Sequence, residues 1–335
     1  MNDTQLSSRK ADHIELAFSA QTLQADPRFY YEPMAVPHPT GEHPWEPLEM
    51  AGRRLLIPWW ISSMTGGEAR AKYINERLAT AAAKYGLGMG LGSCRPVLED
   101  PRTHPDFAVR KFLGDQPLMA NLGVAQLEHL AAVDQLYKVV EMVKSLEADG
   151  LIVHINPLQE WAQPEGDRLL QAPIDTLKRV MDAVKLPLMV KEVGQGFGPK
   201  SLKALLELPL EAVEFGAYGG TNFALIEAMR ASESDFEGLK PAAELGHTAE
   251  EMGDWIRQWS AQSWKPQTRV LVASGGLRHF LDGYYHLKRL PGNVIYAQAW
   301  AFLKPALQSQ EALNAYCESQ IKGLQMAHQY LDLRE

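Results

Sequence analysis

Short apolar runs alternate along this chain with longer stretches in which apolar residues return every three or four positions. The runs are Leu55–Ile61, Gly86–Gly90, Pro117–Asn121, Leu151–His154, Pro187–Glu192, Ala212–Phe215, Val270–Ala273 and Val294–Ala297. They are too short for helices and nearly continuous in apolar side chains, which predicts strands buried on both faces, as in a parallel sheet. The stretches between them include INERLATAAAKYG, LAAVDQLYKVVEMVKSLEADG, PIDTLKRVMDAVKL, SLKALLEL, FALIEAMRASE and AEEMGDWIRQWSAQ. These, with FLDGYYHLKRL and the tail EALNAYCESQIKGLQMAHQYL, carry the period of amphipathic helices. Strand then helix, repeated about eight times, predicts an α/β fold that closes into a (β/α)8 TIM barrel. An open doubly wound sheet would need a GxGxxG turn after an early strand, and the chain has none. Residues 1–50 read as an N-terminal cap segment and residues 51–335 as one barrel domain. Ser232–His247 reads as a loop inserted between two helices.

Composition narrows the partners. A formal charge of −8 argues against a broad nucleic-acid or acidic-membrane surface, yet leaves room for a phosphorylated ligand held by a few local donors. Two cysteines, Cys94 and Cys317, are too few for a disulfide framework or a thiolate metal site. The N-terminal stretch has no apolar segment of secretory type, and no run reaches the ~18 apolar residues of a membrane span. The expectation is a cytoplasmic protein.

The unusual polar residues share one address, the C-terminal ends of the strands, where barrels build their active sites. Ile61 leads into SSMTGG, Gly90 into LGSCR, Met119 into ANLG and Val153 into HINPLQE. Val190 leads into KEVGQG, Phe215 into GAYGGTNF, Val272 into ASGGLR and Tyr296 into AQAW. GGTNF and SGGLR are either two tight turns or a phosphate cradle of backbone donors with Thr221. Lys191, at the end of an apolar strand, is either paired with Glu192 or another barrel acid, or a fixed positive charge beside an electron-rich ring. Ser93, Arg95 and Asn121 read equally as loop caps or ligand contacts, and Arg9 and Lys10 as a solvated charge pair. His154 is either a satisfied core histidine or a ligand group, Glu160 either a helix N-terminal carboxylate or a metal ligand, and Glu165 a turn acid. The Asn156-Pro157 step opposes helix continuation and predicts Gln159 and Glu160 on a loop at the barrel mouth. One carboxylate among amides and water suits Mg2+, which bridges phosphates, and does not suit zinc.

Taken together, RKADHIELAF, SSMTGG, LGSCR, ANLG, HINPLQEWAQPEGDR, KEVGQG, GAYGGTNF and ASGGLR resemble the type 2 isopentenyl-diphosphate isomerases, which are FMN-dependent (β/α)8 barrels. The resemblance runs in order from about Arg9 to about Lys304. HINPLQE with PEGDR is its most specific element, whereas the glycine motifs recur in other flavin barrels. It implies that Ser63, Met64, Thr65 and Gly66 contact the flavin, with Ser93 and Asn121 completing the ring pocket. Lys191 would lie by the pyrimidine end and stabilise the anionic reduced flavin. Thr221, Gly275, Gly276, Ala299 and Trp300 would surround the FMN phosphate. Arg9, Lys10, Ser93, Arg95, His154 and Asn156 would hold the substrate diphosphate or its surroundings. Gln159 would face the substrate, and Glu160 would bind the Mg2+ that bridges the diphosphate. The chain departs from the family at Cys94, where glutamine is usual, and AELGHTAEEM occupies the region of the usual Trp-Gly-Ile-Pro-Thr element.

The activity so implied is interconversion of isopentenyl and dimethylallyl diphosphates, a step in making isoprenoid precursors. Moving an unactivated double bond needs a strong, well-placed acid, and no side-chain pair in the sequence offers one. A reduced flavin nitrogen would carry the proton, with NADPH reducing the flavin and Gln159 the next candidate for proton handling. The same resemblance implies a homo-oligomer, tetrameric or octameric. Two rival readings remain at this level. One is an FMN barrel oxidoreductase of a 2-hydroxy acid, with His279 and Arg278 as its nearest base and clamp. The other is a non-catalytic FMN-binding protein.

Overall fold

The computed structural model describes residues 3–22, 24–41, 43–63, 69–163, 166–230, 238 and 240–334. Each of the eight expected runs supplies a barrel strand: β1 Trp59–Ile61, β2 Gly88–Gly90, β3 Leu118–Gly123 and β4 Gly150–Ile155, then β5 Leu188–Glu192, β6 Ala212–Glu214, β7 Val270–Ala273 and β8 Asn293–Gln298. All neighbours are parallel, and β8 pairs with β1 through Tyr296 and Trp59 to close the barrel. This is the (β/α)8 fold.

Successive side chains of a strand point to opposite faces, and the two cores follow that rule. Trp60, Met119, Ile152, Met189, Ala212, Val272 and Ile295 pack together inside the barrel. Their chain neighbours Trp59, Ile61, Ala120, Val153, Val190, Val213 and Tyr296 face the helices. A hairpin of Leu48–Met50 and Arg53–Leu55 closes the lower end, its Met50 and Leu55 joining the interior cluster. The hairpin loop, Ala51-Gly52, has φ of 51° and 76°, the pair of positive angles that a two-residue type I′ turn requires. Glu211 ties it down, accepting the Ala51 N–H at 2.7 Å while pairing with Arg269 at 2.9 Å.

Two expectations need correction, and one helix was not foreseen. The apolar run Leu55–Ile61 is not one strand: Leu55 ends the hairpin and the barrel strand begins at Trp59, because Pro58 has no N–H to give a ladder. The long helix expected over residues 130–150 is two, Val124–Ala132 and Tyr137–Ser145, separated by a turn in which Asp134 takes a left-handed φ of 54°. The helix Trp300–Gln308, which contains Pro305, was not among the helices expected.

Phe29–Tyr31 pairs antiparallel with Leu331–Leu333, which ties the N-terminal segment to the end of the long helix Gln310–Tyr330. The N-terminal helix Asp3–Leu16 is exposed at every position from Arg9 to Leu16. Of the expected inserted loop Ser232–His247, residues 232–237 and 239 lie outside the described residues, and 240–243 are helical. Among the described residues no helix is long and apolar enough to cross a membrane.

Candidate active site

One step above the apolar interior, the inward position of six strands turns polar. Two residues beyond Trp60, Met119, Ile152, Met189, Ala212 and Val272 stand Ser62, Asn121, His154, Lys191, Glu214 and Ser274. All but the half-buried His154 are buried. Groups so placed need partners, and several have them. The His154 Nδ1 lies 2.8 Å from Asn121 Oδ1, while Asn121 Nδ2 donates to the Leu91 carbonyl at 3.0 Å. That second bond fixes the amide, so His154 carries its proton on Nδ1 and presents a bare Nε2. Burial, helped by the Lys191 charge, holds the imidazole neutral, with a pKa lowered to about 3.

Lys191 donates to the Glu192 main-chain oxygen at 2.9 Å rather than to that residue's carboxylate. Glu192 instead shapes the KEVGQG turn, its Oε2 accepting the N–H groups of Gly194, Gln195 and Gly196 at 2.7, 2.6 and 2.8 Å. Burial pushes the Glu192 carboxyl up to about 7 against the pull of these donors and of Lys191. Ser62 donates to Glu214 Oε1, and Ser274 Oγ accepts the Gly216 N–H at 2.9 Å.

A second cluster stands at the mouth. Gln159 and Glu160 lie on a short helix, Pro157–Ala162, not on the expected loop. Proline opposes a helix interior but suits the first turn, where its missing N–H has no partner to lose. Asn156 Nδ2 donates to Glu160 Oε1 at 2.9 Å and to Gln159 Oε1 at 3.2 Å. The other Glu160 oxygen accepts the Asp167 N–H at 2.8 Å, and Asp167 pairs with Arg95 at 3.2 Å. Gln159 Nε2 reaches Glu227 Oε1 at 3.2 Å. The structure therefore gathers Arg95, Asn156, Gln159 and Glu160, all singled out from the sequence, around one loop.

The polar layer opens into a cavity of about 550 Å3 that runs from Ser62, Ser63, Lys191 and Glu214 to the glycine turns 219–221 and 275–278 and to 299–301. Its volume falls in the range of roughly 300–1,000 Å3 usual for small-ligand sites. The two turns press together so closely that only glycine fits. Gly275 has φ of 89°, and a Cβ on it would stand 2.0 Å from the Ala217 oxygen. Thr221, Gly275, Gly276, Ala299 and Trp300 all line this end. Trp300 is 62% exposed, and what it gives the cavity is the start of the helix Trp300–Gln308, whose first N–H groups favour an anion.

Other expected residues fall elsewhere. Arg9 and Lys10 sit on the exposed N-terminal helix, and no described contact brings them to the mouth. Met64, Thr65, Gly66 and Glu165 lie outside the described residues. Ser93 is half-buried in the turn after β2. The neighbouring Cys94 is buried, its thiol pushed up to about 12 by that burial, and its N–H is held by Asn121 O at 2.7 Å. Arg278 lines the glycine end, while His279 turns to Asp282 at 3.7 Å. Two buried acids near the site escaped the sequence reading. Glu214 did signal itself, as a carboxylate inside the apolar run AVEF, but Glu227 looked like any acid on an amphipathic helix.

At this site three buried side-chain atoms, Ser63 Oγ, Asn156 Oδ1 and Glu214 Oε2, have no partner. Each such atom costs about 1–3 kcal/mol unless a ligand meets it, so they outline where the polar edges of ligands belong. Among the described residues no three His, Cys, Asp or Glu side chains cluster as a metal cage. A cation at Glu160 would draw most of its ligands from a phosphate and water, which is the habit of Mg2+.

The fold is a (β/α)8 barrel with a polar cavity at the C-terminal mouth of its strands, the place where barrel enzymes build their active sites. No protein-family model matches the chain. It is similar to isopentenyl-diphosphate delta-isomerases from Cronobacter sakazakii (36% identity over 98% of this chain and 93% of that protein) and Synechocystis sp. (34%, 95% and 90%). One from Rickettsia felis is 32% identical over 95% of this chain and 90% of its own length. The chain belongs to the isopentenyl-diphosphate delta-isomerase family. Solved structures share its fold at low identity. A mandelate oxidase with a monooxide FMN adduct superposes with a TM-score of 0.52 at 12% identity, covering 99% of each chain. A flavocytochrome b2 with benzoylformate gives 0.58 at 12% identity, covering 91% of this chain and 76% of that one.

Proposed function

We propose that this protein is the FMN-dependent, type 2 form of the isomerase, interconverting isopentenyl and dimethylallyl diphosphates with Mg2+ at Glu160. The observation that carries the reading is the single cavity joining two glycine turns and a helix start to a buried polar layer containing Lys191. Backbone donors at one end suit a phosphate, and a lysine fixed at the other suits a ring that bears negative charge. Ser63, Asn121 and Lys191 are the side chains that would hold the ring. Thr221, Gly275, Gly276, Ala299 and Trp300 would hold the phosphate.

When bound and reduced, for which NADPH is the proposed donor, the flavin supplies the strong acid and matching base that an allylic shift demands. The chain's own part is orientation. Arg95, His154, Asn156 and Glu160 ring the mouth next to β4, where a diphosphate and its Mg2+ would sit. His154 presents a lone pair there, so contact with a diphosphate oxygen entails uptake of a proton, which a nearby anion favours. Gln159, clamped between Asn156 and Glu227, is held to face the substrate and is the side chain best placed to pass a proton. The dry interior beneath keeps water from a cationic intermediate. Exposed Ile14, Phe18 and Met34, at 72%, 90% and 94%, support the proposal of a homo-oligomer.

An anaerobic assay with isopentenyl diphosphate, Mg2+, FMN and NADPH, leaving out each in turn, tests the reading. Loss of turnover on every omission is expected, and full activity without FMN would overturn it. The likeness to hydroxy-acid oxidases favours a second reading. A flavin reduced by a 2-hydroxy acid such as mandelate would decide for it, although His279 is directed at Asp282.

A further inference from the structure

The buried carboxylate of Glu214 has no place in the assignments above. It is 1% exposed, lines the cavity, and leaves Oε2 without a partner while Oε1 is held by the Ser62 hydroxyl. Strand alternation points it inward beside Lys191, its register partner on β5, but the Lys191 ammonium is directed at the Glu192 main-chain oxygen. An oxidised flavin ring has several carbonyl and aza acceptors and one N–H, that of its imide. The acceptors are served by donors such as Ser63 and Lys191, and the N–H needs a buried acceptor of its own.

Among the described residues, several other acceptors in that wall are already engaged. Glu192 Oε2 takes three backbone N–H groups. Gln298 Oε1 accepts from Trp59 Nε1 at 3.1 Å and from Tyr316 OH at 2.9 Å. Ser274 Oγ accepts the Gly216 N–H. We infer that Glu214, held by Ser62, recognises the imide N–H of the flavin ring. The inference rests on the flavin reading above and assigns a contact that reading lacks. It also explains why a carboxylate stands in an apolar strand next to a buried lysine: the two set opposed charges at the ring. Lys191 favours the anionic reduced form and Glu214 opposes it, so the pair tunes the potential as well as the grip.

The test compares FMN with 3-methyl-FMN, whose imide nitrogen carries a methyl group in place of hydrogen. Full-length protein freed of flavin is titrated with each, following quenching of flavin fluorescence. The wild type should bind FMN about 10- to 100-fold more tightly, the size of one hydrogen bond to a charged group. Glu214→Ala should bind FMN more weakly and distinguish the two flavins by less than about threefold. Glu214→Gln keeps the shape and an acceptor oxygen, so it should fold, retain a smaller preference, and show a higher midpoint potential because a negative charge is gone. FMN binding without discrimination in the wild type, or an unchanged potential in Glu214→Gln, overturns the inference alone. Failure of the wild type to bind FMN at all overturns the flavin reading and this inference with it.

Discussion

The two ends of the barrel are lined by the same strands, and they differ by a step of two residues. At the lower end Trp60, Met119, Ile152, Met189 and Ala212 meet the hairpin residues Met50 and Leu55 in one apolar cluster. About 7 Å further along each strand, the inward positions become Ser62, Asn121, His154, Lys191 and Glu214. The lower layer supplies stability and excludes water. Because it does so, charged groups at that level are poorly solvated, and burial displaces the titration of His154 to about 3 and of Glu192, next to Lys191 in the chain, to about 7. The comparison teaches a division of labour along one strand direction, which substitutions at the two levels should expose.

The largest effect belongs to the lower end. Leu55→Ala empties a site that is 1% exposed and should cost about 2–5 kcal/mol in urea denaturation. Flavin affinity should stay within about twofold, and an equal loss of flavin binding would break the division. At the mouth, Glu160→Ala should lower kcat/KM about a hundredfold at fixed Mg2+ while unfolding shifts by less than about 0.5 kcal/mol. Steady-state kinetics across a Mg2+ series check this, and an unaltered metal dependence would remove Glu160 as the ligand. Lys191→Ala should weaken FMN binding about tenfold and lower the midpoint potential, without lowering the melting temperature of the flavin-free chain. A potential and affinity like the wild type's would reject its place by the ring.

The smallest effect is a pH slope. The folded pKa of His154 is depressed below its unfolded value, so the stability this neutral imidazole contributes is complete above about 6.5 and is lost as pH falls towards 3. His286, lowered to about 4 by burial, acts over much of the same window. His154→Gln should therefore flatten the fall of the unfolding free energy below pH 6, by about 1 kcal/mol per pH unit or less. A slope identical to the wild type's would show that His154 is already protonated or exposed.

Much of this was open to a reader of the sequence alone. Eight apolar runs, each too short for a helix, marked the strands, because a strand buried on both faces needs nothing beyond its own residues to declare itself. Glycine pairs after β6 and β7 marked turns that no side chain would fit, and the sequence around His154 and Glu160 announced a mouth. Other features depended on contacts far apart along the chain. Ala51 rests on Glu211, Gln159 on Glu227 and Ser62 on Glu214, and no local pattern pairs them. Pro157 read as a helix breaker because propensity is local, while the folded chain placed it in a first turn.

By itself, then, the sequence determined the order of strands and helices and which residues share a face, since both follow from periods of two and 3.6 along a single segment. Only the tertiary structure decided which face became a dry interior and which polar atoms were left facing a cavity. That depends on closing β8 against β1 and seating the hairpin beneath, events that join residues 160 positions apart or more.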